Sequence, residues 1–261
     1  MDKPFIEEAA DILLEARKNH KLLDLLTDNC KPDNATDAYE IQDHLAGIAG
    51  SPVLGWKVGA TNAKSQEMLG ADAPFGGRMF DGLTFNSPAE LPFDNFFAPG
   101  IEVEMAFRIS KDLVAGNSHS LEEVQGAVDS MYGAIEIIDS RFAIGVKAGI
   151  EHVIADNGAH GAFVLGQEIK NWESVDRLNI PVRLVINGDE FSSGVSSNAT
   201  GGDPLQSIVW LANHLSERGI TITSGQIITT GSCCAAVAWP KQGDTIRAEV
   251  ADAVSIEINF K

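Results

Sequence analysis

Three glutamates interrupt two of the most apolar stretches of this chain: Glu102 and Glu104 in Ile101-Glu102-Val103-Glu104-Met105-Ala106-Phe107, and Glu136 in Ala134-Ile135-Glu136-Ile137-Ile138. Both stretches read as β-strands, and side chains on a strand alternate between its two faces. Glu102 and Glu104 therefore point one way, while Ile101, Val103, Met105 and Phe107 point the other. If the strand holding Glu136 lies in the same sheet, with Ile135 and Ile137 on the core side, its carboxylate joins that pair. Three converging carboxylates repel one another unless a cation lies among them. All-oxygen ligation of this kind suits Mg²⁺ or Mn²⁺, with positions left for water and a chelating substrate. The ordinary alternative for an isolated Glu-x-Glu is an acid face turned to solvent, and it is the third acid, in a strongly apolar strand, that argues for a site.

The rest of the chain sets the context for that sheet. Helical spacing of apolar residues predicts a helix pair over 4–27 and a further helix over 35–47. Residues 1–50 thus read as a helical segment ahead of a β-rich catalytic domain at 51–261. Beyond residue 52 the signal becomes short β-branched runs between turn residues, predicting strands over 53–58, 102–109, 134–138, 161–165, 182–186, 226–230 and 253–260. Helices are predicted over 120–131 and 204–218. With no strand-helix alternation and no repeat, an α+β architecture follows. The glycines at 76, 77, 158, 161, 201 and 202 lack a phosphate-loop lysine or a dinucleotide-binding context and read as turns.

A length of 261 residues with 44% hydrophobic content suffices for a substantial core, and the net charge of −18 disfavours nucleic acid and anionic membranes as partners. Three cysteines, Cys30, Cys233 and Cys234, offer no disulfide framework and no zinc spacing, and the vicinal pair reads as packing among small residues. Without a signal-like start or a run long enough to span a bilayer, the expected location is the cytoplasm.

Several motifs together resemble a known family. They are Gly55-Trp56-Lys57-Val58-Gly59, the two acid-bearing strands, Asp139-Ser140-Arg141, Ala155-Asp156-Asn157-Gly158, Trp210-Leu211-Ala212-Asn213 and Thr229-Thr230-Gly231-Ser232. From residue 55 to the carboxyl terminus the chain resembles the 2-keto-4-pentenoate hydratase and 2-oxohept-3-enedioate hydratase group, with its relative 4-oxalocrotonate decarboxylase, in the fumarylacetoacetate hydrolase superfamily. The resemblance implies the superfamily's mixed β-roll. It also implies Glu102, Glu104 and Glu136 as ligands for Mg²⁺ or Mn²⁺, Lys57 and Thr230 close to the substrate, and a homo-oligomer, in some members beside a decarboxylase partner. The implied reaction is metal-dependent addition of water to a 2-hydroxy-2,4-dienoate, a small 2-oxo acid, giving a 4-hydroxy-2-oxo acid.

The chain also departs from the family. Its segment Ala73-Pro74-Phe75-Gly76-Gly77-Arg78-Met79-Phe80-Asp81 keeps only Asp81 of a double acid, leaving Asp81 as the candidate acid or base. Arg78 is a candidate for holding a second carboxylate. Gly158-Ala159-His160 stands where the family often has small hydroxyl residues. Three other readings stay open. Decarboxylation of a 2-oxo-3-enedioate shares the same site. Acylpyruvate hydrolysis would need a histidine base, for which His152 and His160 are candidates in a loop-like stretch. The last is a catalytically silent assembly partner.

Overall fold

The computed structural model describes residues 1–251 and 254–261. It opens with helix α1 (Lys3–Lys18), which turns Ala9, Ala10, Leu13 and Ala16 inward, and α2 (Ala35–Ile48), whose first turn is capped by the Asn34 side chain. The second helix predicted within 4–27 does not form. Residues 19–27 run irregularly, and Leu23 makes an isolated bridge to Phe142 instead. Leu22 and Leu25 remain largely exposed.

Two sheets follow. The first holds β1 (Val53–Gly59), β2 (Phe75–Phe80), β3 (Thr84–Asn86), β5 (Gly100–Ile109), β6 (Val128–Ile138), β7 (His160–Glu168) and β10 (Ile227–Ser232), in the order β2-β1-β10-β5-β6-β7-β3. The second runs β4-β12-β11-β8-β9, from β4 (Ala89–Leu91), β8 (Pro181–Ile186), β9 (Asp189–Val195), β11 (Thr245–Val250) and β12 (Val254–Phe260). Of the predicted strand 253–260, residue 253 lies outside the described residues.

Shorter helices fill the gaps: α3 (Ala63–Leu69), α4 (Leu121–Ala127), α5 (Ile150–Ala155) and α6 (Leu205–Glu217). The helix predicted over 120–131 starts with a Ser120–Glu123 capping box but ends at Ala127. From Val128 onward the chain pairs with β5 all the way to Ile138, so a long β ladder overrides the local helical spacing. Strand β2 went unpredicted because Gly76 and Gly77 look like turn residues. They are small for packing reasons, since a Cβ on Gly77 would stand 2.6 Å from the Asn157 carbonyl oxygen and 3.0 Å from the Lys57 side chain. Gly161 likewise lies in a strand, whereas Gly158 and Gly201 do occupy positive φ.

One face of the first sheet packs on the second sheet and on α6 through the main core, which takes in Ile101, Val103, Met105, Phe107, Ile135 and Ile137. The sheet curls so far that Met79 of β2 and Phe163 of β7 join Ala106, Tyr132 and Ala134 in one apolar cluster. Its other face is thus the inside of a roll, and this mixed α+β roll is the predicted fold class. Helices α1, α2 and α5 close one end, sharing an apolar cluster with Phe75, Phe142 and Ala159.

Candidate active site

The inner face of the roll receives Glu102 and Glu104 from β5 and Glu136 from β6, because Glu102 and Glu136 are directly paired in the β5–β6 ladder. One oxygen from each carboxylate lies within 4.8 Å of the others. Glu104 and Glu136 are 1% exposed and Glu102 is half-buried. From β1, Lys57 is directed to the same place by its pairing with Gly77, and its Nζ stands 2.9 Å from Glu136 Oε1 and donates to the Gly158 carbonyl at 2.9 Å. The ring of His160, fully buried at the start of β7, brings Nδ1 to 3.5 Å from the same Glu136 oxygen. The Gly231 N–H donates to Glu104 Oε2 at 2.8 Å. Gly231 needs to be glycine there: its φ is +100°, and a Cβ would fall 2.1 Å from the Thr61 hydroxyl.

Burial dominates the electrostatics. It pushes the Glu102 carboxyl up to about 7, with Glu136 adding to the rise and Lys57 opposing it. Burial, then Glu136 and Glu102, pushes Glu104 well above the usual range. Burial also acts to raise Glu136, but Lys57 and then His160 outweigh it and hold that carboxyl below its ordinary value. Desolvation would lower Lys57, yet Glu136, Glu102 and Glu104 together keep it raised and charged. Burial lowers His160 in spite of Glu136, so its imidazole is neutral.

Among the described residues, Glu136 Oε2, His160 Nε2 and the Thr229 hydroxyl have no hydrogen-bond partner, and Glu136 Oε1 has only the ion pair with Lys57 and the longer approach of His160 Nδ1. Leaving such groups unsatisfied costs about 1–3 kcal/mol each. A divalent cation among Glu102, Glu104 and Glu136 fits this arrangement, since it offsets the mutual repulsion and gives the orphaned carboxylate oxygen a partner. The all-oxygen donor set suits a hard ion.

The structure therefore brings Glu102, Glu104, Glu136 and Lys57 together, and leaves three other candidates apart. Asp81 sits exposed on the turn after β2, where its carboxylate accepts the Gly82 N–H. It adjoins Phe80, the partner of Val53, four strand residues or about 13 Å along β1 from Lys57. Arg78 pairs across from Trp56, on the opposite face from Lys57, and stacks on that ring at 4.7 Å. Its guanidinium is taken by Asp43 at 2.6 Å and Gln42 at 3.0 Å, both on α2. The Thr230 hydroxyl donates to the Met105 carbonyl at 3.1 Å and so serves the backbone. Its neighbour Thr229, paired with Ala106 on the inner face, is the threonine turned toward the carboxylates.

Thr229 is the neighbour of the carboxylates that sequence reasoning passed over, and His160, named from the sequence only as a candidate base for hydrolysis, stands beside Glu136. Thr229 was open to the same alternation argument as the glutamates. His152 and His160 do not lie in a loop. His152 is in α5, its Nε2 is 3.2 Å from the Leu26 carbonyl, and it stays away from the site.

The site is thus a carboxylate triad with a buried lysine inside a curled sheet. The match to known proteins is specific. Residues 61–260 fit the family model of the fumarylacetoacetate hydrolase C-terminal domain, and the chain belongs to that family. It is 34% identical over 236 residues to 2-hydroxyhexa-2,4-dienoate hydratase of Comamonas testosteroni, covering 88% of each chain. It is 31% identical to 4-oxalocrotonate decarboxylase of Pseudomonas putida, covering 93% of this chain and 90% of that one. A solved 4-oxalocrotonate decarboxylase from Pseudomonas putida G7, complexed with magnesium and adipate, superposes with a TM-score of 0.92 at 25% identity, covering 100% of this chain and 99% of that one. The protein is an enzyme of the lyase type, similar to the 2-keto-4-pentenoate hydratases. No helix among the described residues is long and apolar enough to cross a membrane.

Proposed function

We propose that this protein is a divalent-cation-dependent hydratase that converts a 2-hydroxy-2,4-dienoate and water into a 4-hydroxy-2-oxo acid. The observation that carries the reading is the convergence of Glu102, Glu104 and Glu136 beside a charged, buried Lys57. These three carboxylates would hold Mg²⁺ or Mn²⁺, and the bound ion supplies Lewis-acid stabilisation of the negative charge that develops on the 2-oxygen of the substrate.

The chain's own groups do the rest. Lys57 sits against Glu136 Oε1 as an ammonium, adding positive charge where a 2-oxo acid brings negative charge. Gly231 fixes Glu104 through its N–H. Met79, Ala106, Ala134 and Phe163 line the roll beyond the acids, an apolar floor suited to the hydrocarbon end of a diene and to excluding bulk water. Thr229 and His160 offer free polar atoms for a substrate hydroxyl or an ordered water. In the reaction the 2-hydroxyl of the dienol gives up its proton and C5 gains one, which leaves an isomeric 2-oxo enone. Water then adds its hydroxyl to C4 and a proton to C3, so the product is the substrate plus one water.

Decarboxylation of a 2-oxo-3-enedioate is the second reading, favoured by the superposition on 4-oxalocrotonate decarboxylase. Against it stands Arg78, whose guanidinium is committed to Asp43 and Gln42 on the other face of the sheet. A second substrate carboxylate would thus meet no free arginine from that strand. The test is a mass-resolved assay with Mg²⁺ on freshly generated 2-hydroxypenta-2,4-dienoate and, separately, 2-oxohex-3-enedioate. Gain of one water from the first supports the hydratase, CO₂ release from the second alone assigns the decarboxylase, and turnover of neither removes both. Assembly as a homo-oligomer, alone or beside a decarboxylase partner, belongs to the same reading and rests on resemblance, while a cytoplasmic location is an expectation from the sequence.

A further inference from the structure

Glu136 is approached from two sides at one oxygen. Lys57 Nζ at 2.9 Å and His160 Nδ1 at 3.5 Å both face Oε1, while Oε2 has no hydrogen-bond donor among the described residues. The histidine is held for that position. Its backbone carbonyl accepts from Arg141 at 2.9 Å and also from Arg17 of α1. It follows three consecutive residues at positive φ, Asn157 (52°), Gly158 (67°) and Ala159 (54°). For Ala159 that conformation costs about 1–2 kcal/mol, and such strain persists where the surroundings fix it for a purpose. Asn157 pins the turn by exchanging two 2.8 Å hydrogen bonds with the backbone of Arg78. The same turn points the Gly158 carbonyl at Lys57. Nothing in packing alone calls for an imidazole that is fully buried with Nδ1 turned to a carboxylate and Nε2 unpartnered.

We infer that His160 is a positioning residue of the cation site: its Nδ1–H, together with Lys57, claims Oε1 of Glu136 and so reserves Oε2 for the metal. The inference rests on the reading of the three glutamates as a cation site. Lys57 already brings the positive charge, so the imidazole needs to bring only a directed N–H. Groups that orient a ligand in this way change metal affinity by about 10- to 100-fold when they are removed. The proton on Nδ1 leaves Nε2 as a buried acceptor, open to a water or substrate hydroxyl beside the ion.

The test measures Mn²⁺ affinity by electron paramagnetic resonance in the full chain at one pH, without substrate, for the wild type, His160→Asn, His160→Gln, His160→Leu and Glu136→Gln. Circular dichroism establishes that each variant folds. An asparagine amide N–H falls close to the place of Nδ1, whereas the glutamine amide falls near Nε2. The expected result is His160→Asn within about threefold of wild type, with His160→Gln and His160→Leu weaker by about 10- to 100-fold. Affinities unchanged in all three, or His160→Asn as weak as His160→Leu, overturn the inference. Wild-type affinity in Glu136→Gln would overturn the cation-site reading itself, a failure separate from that of His160. If the His160 variants do not fold, ¹⁵N-histidine NMR of the unaltered protein decides: a neutral ring protonated on Nδ1 supports the assignment, and one protonated on Nε2 overturns it.

Discussion

Two clusters of buried charge lie on either side of the 156–160 turn, and they are built in opposite ways. Around Asp156 nearly every group has a partner. Its carboxylate takes the Arg141 guanidinium, the Arg141 N–H at 3.0 Å and the Ser140 hydroxyl at 3.0 Å. Arg141 also donates to the carbonyls of Asp139 and His160, and Asp139 accepts the N–H groups of Phe97 and Ala98. Around Glu136, a few residues away, three acids share one charged lysine and several polar atoms have nothing to bond to. Burial weighs on both, raising Asp156 and lowering Arg17 to about 9 in the first as it raises Glu102 and Glu104 in the second. The difference lies in completeness. A buried network that closes on itself holds the chain together, whereas one left open keeps its capacity for something that arrives later.

Substitutions should separate the two. Lys57→Met is expected to lower kcat by about 10²- to 10³-fold, read in steady-state hydration assays; unchanged kcat would remove Lys57 from the chemistry. Arg141→Leu leaves Asp156 buried without its cation and is expected to cost about 3–5 kcal/mol of stability, measured by urea unfolding; a cost below 1 kcal/mol would mean the closed network does not hold the turn. A matched pair of hydroxyl deletions sharpens the contrast. Ser140→Ala removes a bond to a charged carboxylate and should cost about 2 kcal/mol, while Thr229→Val removes an unpartnered hydroxyl and should cost close to nothing. Equal costs for the two would erase the distinction between the clusters. A last effect runs in the other direction: Glu104→Gln keeps an acceptor for Gly231 but removes an acid whose charged form is disfavoured by burial, Glu136 and Glu102. It should raise the stability of the cation-free protein by about 0.5–2 kcal/mol while weakening Mg²⁺ binding by calorimetry, and a loss of stability would argue that the acids do not strain the fold.

The open cluster was legible in the sequence because period-two alternation decides facing, and because Ile135 and Ile137 left Glu136 only one side to point to. The β-roll was legible through motif resemblance, and the acid strands through pattern. What escaped depended on contacts between distant segments. The leucines at 22–26 have helical spacing, but Leu23 docks against Phe142 as a bridge. Val128 and Met131 continue the spacing of α4 yet are captured by the β5 ladder. Arg78 was placed near a substrate carboxylate from its neighbourhood in sequence, whereas its register against Trp56 turns it to the other face. Asp81 failed in the same way, by lying on the turn beyond the strand that would have had to carry it. His160 is the clearest case: the sequence offers it beside His152 as a candidate base in a loop-like stretch, and only the pairing of β6 with β7 brings it, and not His152, to Glu136.

On the proposed function, the open carboxylate cluster works by holding a divalent ion for a 2-oxo acid. The most direct test strips the protein with a chelator and follows loss of the dienol absorbance of 2-hydroxypenta-2,4-dienoate before and after Mg²⁺ is restored, beside a Glu102→Ala variant treated identically. The expected result is no turnover in the stripped protein, recovery with Mg²⁺, and no recovery in Glu102→Ala. Turnover by the stripped protein at the full rate, or a Glu102→Ala variant as active as the wild type, would contradict it.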